Sequence, residues 1–277
     1  MSFVAQAARP HDLLWLKRIP QWHDAPEWVG IALARLPVVV VRRAGAPKGL
    51  VSVGVRGESR SQRYGALISI AEIERCAGPE MLLDDVLPDR MSGLPLSVSE
   101  LSCAQGSAQT TAGFIRPPRD VSRAGLPAFM VLQGLAPVLR RFRLVWGPTG
   151  SVGFELATGL PVVQAGSDLD VLIRLPEWIG RDTGQSLLRT LSTQAAQAGV
   201  RIDAQLETPG GAVSLAEYAG STRRVLLRGS GEPIFVDDPW AWGATSQSST
   251  HGSTSESHDN SRREPTAALA VGTSPGS

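Results

Sequence analysis

The chain has 277 residues, 42% of them hydrophobic and 19% charged, with a formal charge of +1 at pH 7. That is enough for one large or two ordinary cores and too nearly neutral for a broadly basic nucleic-acid coat, so an anion site must be local and no nucleic-acid partner is expected. Two cysteines, Cys76 and Cys103, stand without C-x-x-C spacing or a third partner, which excludes a cysteine-based zinc site and a disulfide framework.

The start, MSFVAQAARPHDLLWLKRIP, has no basic segment ahead of an apolar run. No stretch approaches the roughly 18 consecutive apolar residues of a membrane span. A cytoplasmic protein with no membrane partner is expected.

RPHDLLWL, Arg9 to Leu16, offers His11 and Asp12 as ligands, or Asp12 as a cap with Leu13, Leu14 and Trp15 as core. LPVVVVRR (Leu36 to Arg43) and GLVSVGVRG (Gly49 to Gly57) are β-branched runs separated by the turn signal AGAPK, and YGALISI follows. These predict a small β-rich domain over 1–90. Between Arg42 and Arg63 lie six basic residues, Arg42, Arg43, Lys48, Arg56, Arg60 and Arg63, against one acid, Glu58. They form either an anion-facing patch or the charged, solvated edge that keeps sheets from aggregating. PDRMSGLPLS and IRPPRD bracket a linker region, 91–120.

From 121 to 243 the order reads as an α/β layer around a central sheet. LPAFMVLQGLAPVLRRF has helical spacing and ends in Arg140 and Arg141, which suit a helix C-terminus. FRLVW (Phe142 to Trp146) reads as a strand, and Ser151 reads as the cap of a short helix that stops at Gly159. The strand at Asp168, the amphipathic helix TGQSLLRTLSTQAAQAGV, the strand Val200 to Thr208, a brief helix in GGAVSLAEYAG and the strand RRVLLR complete it. Trp240 and Trp242 are candidates to pack against this layer. The Ser-, Thr- and Gly-rich remainder, 244–277, cannot bury enough surface to offset its ordering entropy and is expected to be a disordered tail. The fold class is therefore α/β in the broad sense, α+β, with two domains.

GSDLDVLI carries the chemistry. Alternation along a strand points Asp168 and Asp170 the same way, within about 7 Å of each other. Two such carboxylates suit Mg2+, which takes one or two carboxylates, waters and substrate phosphates. Alternatively one aspartate caps a turn and the other is solvated. Gly150 and Ser151 at a helix start offer backbone N–H groups and a hydroxyl to a phosphate. Asp203, on the next strand, could complete a metal site or take a proton from an attacking hydroxyl. Arg201 either puts positive charge on that face or is an exposed strand-end residue. Of four histidines, His251 and His258 lie in the polar tail, so the catalytic burden falls on carboxylates.

This ordering resembles the nucleotidyltransferase superfamily that includes DNA polymerase beta: Gly150 and Ser151, then Asp168 and Asp170, then Asp203. One departure is a spacer of sixteen residues between Ser151 and Asp168, so an extra turn must be accommodated at LPVVQAG. RPHDLLWL, PVVVVRR, VGVRGESRSQR, WGPTGSVGFELATGLP with GSDLDVLI, and RIDAQLETPGGAVSLAEYA are together similar to the holo-acyl-carrier-protein synthases of malonate decarboxylase, a family of phosphoribosyl-dephospho-CoA transferases. That resemblance spans residues 9 to about 228. It implies a substrate, 2'-(5''-triphosphoribosyl)-3'-dephospho-CoA, whose prosthetic group is joined to a serine of the acyl carrier protein subunit with release of pyrophosphate. It also implies Mg2+ on Asp168 and Asp170, Asp203 as a catalytic third acid, and Gly150, Ser151, Arg56 and Arg60 on phosphate.

Two rival readings use the same residues. Gly147, Gly150 and Gly153 form G-x-x-G-x-x-G after FRLVW, a possible dinucleotide-binding turn, although the acid expected after the second strand instead precedes VLI. The other rival is a non-catalytic nucleotide- or carrier-binding module, against which all three acids are present.

Overall fold

The computed structural model describes residues 8–59, 61–83, 121–221 and 223–241. The expected linker 91–120 and tail 244–277 lie outside the described residues, as do Arg60, Cys103 and Trp242.

The first region is an antiparallel five-stranded sheet in the order β4-β3-β2-β1-β5. Its strands are β1 (Leu13–Leu16), β2 (Val38–Val41), β3 (Leu50–Arg56), β4 (Arg63–Ser69) and β5 (Ile73–Ala77). The three strands predicted from β-branched runs are present, with Val40 opposite Gly54 and Gly54 opposite Gly65. The continuous apolar run VVVV is explained by burial on both faces. Leu14, Leu16, Val39 and Val41 enter one core with Val53 and Val55, while Leu13, Trp15, Val38 and Val40 pack on a second core with the C-terminal layer.

Helix α1 (Glu27–Arg35) joins β1 to β2 and lays Val29 and Leu33 on the first core. Glu27 in its first turn and Arg35 in its last complement the helix dipole. Asp12 does not cap a helix. It heads strand β1, accepts the Arg9 N–H at 2.8 Å, and is 1% exposed.

The second region places a four-stranded mixed sheet, order β6-β7-β8-β9, among helices, so the fold is mixed α/β. After α2 (Val121–Ala124), α3 (Pro127–Arg141) starts at a proline, whose missing N–H costs nothing in a first turn. The strand expected from Phe142 begins only at Val145, because Arg143 takes a left-handed φ of 52° that breaks extended pairing. β6 (Val145–Pro148) runs antiparallel to β7 (Leu169–Arg174), and β7 runs parallel to β8 (Ile202–Thr208), with α4 (Gly150–Thr158) and α5 (Arg181–Ala198) as the connections. A dinucleotide fold needs parallel strands on either side of its glycine turn. The antiparallel β6–β7 pair therefore removes that reading.

GGAVSLAEYAG divides into a strand, β9 (Gly211–Ser214), and a short helix, α6 (Leu215–Gly220). β10 (Val225–Leu227) pairs with β11 (Ile234–Val236) in a separate two-stranded sheet. Trp240 is 9% exposed, donates its indole N–H to the Leu175 carbonyl at 2.9 Å, and meets Tyr218 edge-on at 5.4 Å.

Two ion-pair systems join the regions. Arg43 on the N-terminal side grips Glu207 of β8 with both guanidinium nitrogens. Arg174, at the end of β7, bonds Asp12 at 3.0 Å and Glu80 at 3.1 Å and is only 8% exposed.

Candidate active site

β7 and β8 set the acids. Gln164 and Ser167 close the turn ahead of β7, with bonds of 2.9 and 3.0 Å. Asp168 then stands at the strand mouth and Asp170 lies within the strand, separated by the fully buried Leu169. Asp170 is opposite Asp203 in the parallel register. Neighbouring strands lie about 4.8 Å apart and paired residues share a face, so these two carboxylates stand side by side.

Arg201 draws the group together. Its guanidinium is hydrogen-bonded to Asp203, comes within 4.0 Å of Asp168, and is pushed to a higher pKa by that bond first and by the charges of Asp203, Asp168 and Asp170. It is both exposed and on the acidic face. Three carboxylates thus sit within the field of one solvent-exposed cation, an arrangement that favours further positive charge.

Gly150 is required beside them. Its φ is +60°, and a Cβ there would lie 1.9 Å from Asp170 Oδ2. Only glycine lets the backbone approach that carboxylate so closely. Ser151 is not the helix cap: Thr149 occupies that position in extended geometry, and α4 begins at Gly150. Ser151 is 9% exposed and does not line the cleft, whereas Thr149 and Gly150 do. The peptides at this end of α4 lack helical acceptors and so suit an anion. The helix stops where expected, at Gly159 with φ 71°.

The long spacer after α4 is strapped by Glu155, which is fully buried. Its carboxylate accepts the N–H groups of Val162 and Val163 at 2.8 and 2.6 Å and pairs with Arg123. Arg123 also donates to the Val163 carbonyl at 2.8 Å. An acid inside an apolar helix pattern was the available signal for this strap, and the sequence reading did not use it.

Facing the acids across a cleft of about 470 Å³ is the N-terminal sheet. Gly54 and Gly65, paired across β3 and β4, leave a floor without side chains, and the Arg42 guanidinium lies over Gly65 where a Cβ would be 2.1 Å away. Arg42, Arg56 and Arg63 all line the cleft with Asp170, Asp203 and Gly150. Arg56 stands 5.8 Å over the Phe154 ring. Of the remaining basic residues in that stretch, Arg43 pairs with Glu207 of the second region, and Lys48 does not line the cleft.

His11 enters the same cleft from the head of β1 with a left-handed φ of 72°, its N–H bonded to the Val41 carbonyl at 3.0 Å. Burial, then the neighbouring Arg43 charge, holds its imidazole at about 4, against a hydrogen bond with Gln205 that acts the other way. It is therefore neutral near pH 7. The sequence offers His11 and Asp12 together as ligands; the hydrogen-bond partner of His11 is instead Gln205 of β8, nearly two hundred residues on.

Residues 118–239 match the family described as the phosphoribosyl-dephospho-CoA transferase MdcG C-terminal domain, and residues 9–79 match the corresponding N-terminal domain. A phosphoribosyl-dephospho-CoA transferase of Pseudomonas putida strain GB-1 is 40% identical over 238 residues, 85% of this chain and 96% of the relative. Proteins of the same description from Pseudomonas fluorescens strain Pf0-1 and Azotobacter vinelandii are 39% and 38% identical over 83% and 84% of this chain and 93% and 94% of their own length. No solved structure matches the chain.

Proposed function

Because the chain belongs to the phosphoribosyl-dephospho-CoA transferase family and is a transferase, we propose that its cleft takes 2'-(5''-triphosphoribosyl)-3'-dephospho-CoA and attaches the phosphoribosyl-dephospho-CoA group to a serine of the malonate decarboxylase acyl carrier protein. The observation that carries this reading is the opposition of two walls. One presents Arg42, Arg56 and Arg63, the other Asp170, Asp203 and the Gly150 end of α4. A polyphosphate is held by the first and presented to the second. The reaction would take place in the cytoplasm.

The donor set fits Mg2+. Asp170, which lines the cleft, and Asp168 at the strand mouth would supply the one or two carboxylates it takes alongside phosphate oxygens and water. Among the described residues no three His, Cys, Asp or Glu side chains form a cage by themselves, so the remaining ligands would come from substrate. A Mg2+ held there would supply charge neutralisation of the triphosphate and polarisation of the phosphoryl group.

The chain's own residues do the rest. The arginine wall and the first peptides of α4 orient the triphosphate. The serine Oγ bonds to the α-phosphorus, the bond from that phosphorus to the bridging oxygen breaks, and its electron pair departs with pyrophosphate. Asp203 receives the hydroxyl proton, a role worth about a hundred- to ten-thousandfold in rate.

The test is to incubate the protein with Mg2+, the precursor and the apo carrier subunit and to weigh the carrier by mass spectrometry. The expected result is a mass gain equal to the phosphoribosyl-dephospho-CoA group, with one pyrophosphate released per carrier. An unmodified carrier in the presence of folded enzyme refutes the reading.

A further inference from the structure

Asp170, Asp203 and Gln205 border a second cavity as well as the arginine-lined cleft. It has a volume of about 550 Å³ and lies between α5, the start of β8 and the β9–α6 corner. Small or polar side chains rim it, Ser192 and Ala195 from α5 and Ser214 and Ala216 at the corner, with Arg228 beside them.

The edge of β8 is open here. Leu169 donates its N–H to the Arg201 carbonyl, so alternation in a parallel ladder directs the peptides of Arg201, Asp203 and Gln205 toward β7 and those of Ile202 and Ala204 away from it. β9 accompanies β8 only from Thr208 back to Gln205. The outward peptide of Ile202, beyond the last β8–β9 pair, therefore has no neighbouring strand beside it among the described residues.

In-line displacement at phosphorus needs the attacking and leaving oxygens on opposite sides. Of the residues that line them, the arginine-lined cleft and the second cavity share Asp170, Asp203 and Gln205. Three arginines on the cleft side suit the leaving pyrophosphate. The other opening, with its small and polar rim residues and the open edge of β8, suits a short polypeptide loop lying extended along that edge. We infer that the serine-bearing loop of the carrier protein enters through the α5–β8–α6 cavity, lies along the open edge of β8, and presents its hydroxyl to Asp203 from the side opposite the arginines. This rests on the transfer reaction proposed above.

The test fills the cavity from its exposed rim. Ala216→Trp and Ser192→Trp are each compared with wild type in carrier-dependent transfer at saturating precursor, and precursor affinity is measured separately by calorimetry. The expected outcome is a rise of about tenfold or more in KM for the carrier with precursor affinity within about twofold of wild type. Arg42→Gln should show the reverse pattern. An unchanged carrier KM in both tryptophan variants, or a loss of precursor affinity equal to the loss for carrier, overturns the inference, the latter by showing that the precursor occupies this cavity. Wild-type protein that never modifies the carrier instead overturns the transfer reaction itself, and the inference with it.

Discussion

The N-terminal and C-terminal regions put opposite charges into one cleft by different means. On the antiparallel sheet, three arginines from β2's end, β3 and β4 gather over a paired-glycine floor. On the mixed sheet, acids sit at the mouths of two parallel strands beside a glycine turn. The charges that cross between the regions away from the cleft behave differently again. Arg43–Glu207 and Arg174–Asp12 are paired and largely withdrawn from water, whereas Asp203 and Arg201 remain 45% and 69% exposed. Burial and pairing mark the charges that hold the two regions together, and solvated charge converging on a cavity marks those proposed to do chemistry.

That contrast breaks most visibly at the acids. Asp170→Asn and Asp168→Asn should each reduce transfer by about a thousandfold or more while leaving the melting temperature at or slightly above wild type, since the charge proposed to hold metal is lost and like-charge repulsion is relieved. Near-normal turnover by either folded variant would remove it from the site. The opposite pattern is expected at the weld. Arg174→Met leaves Asp12 and Glu80 without their shared cation and should cost about 3–5 kcal/mol in urea unfolding. Asp12→Asn should cost less, because Arg174 keeps Glu80.

His11 lies between the two classes, and pH separates it. Its folded pKa is about 4 against 6.5 for an ordinary histidine, so between those values the unfolded chain binds a proton that the fold refuses. Its contribution is complete above pH 6.5 and falls away as pH drops to 4, by roughly 3 kcal/mol. Burial raises Asp12 to about 6, so there the fold holds the proton longer and gains stability over part of the same range as pH drops. The neighbours offset one another. His11→Asn, which tolerates the left-handed backbone, should therefore gain stability relative to wild type as pH falls from 6.5 to 4. A pH-independent difference in urea midpoint would contradict this.

The smallest expected effect sharpens the role of the arginine wall. Arg42→Gln or Arg63→Gln should raise KM for the precursor by about five- to tenfold at low salt, with the defect shrinking as ionic strength rises. Kinetics unchanged at every salt concentration would return these residues to the status of a solvated sheet edge.

Local pattern made the strands β2 to β4, the helices α3 and α5 and the acids legible in the sequence, because each is written in period, turn chemistry or spacing. β1 was hidden because an aspartate before Leu-Leu-Trp has the grammar of a helix cap, and only the distant Arg174 explains why it is buried. β9 was hidden inside a glycine turn, which its pairing with β8 extends into a strand. In the sequence Gly150 reads as half of a phosphate-gripping pair. Its stronger constraint, the Asp170 carboxylate against its Cα, depends on register between elements. The opposing arginine wall, His11 and the second cavity all arise from packing one region on the other, which no local pattern records.

The central claim is that the acids perform the transfer while the facing wall holds the precursor, and Asp203 tests it most directly. Single-turnover transfer by Asp203→Asn at saturating Mg2+, paired with precursor calorimetry, should show a rate lower by about a hundred- to ten-thousandfold with precursor affinity better preserved than in the Asp168 and Asp170 variants. Transfer close to wild type would mean that Asp203 does no more than pair with Arg201, an exposed contact worth about 0–1 kcal/mol, and would contradict the account.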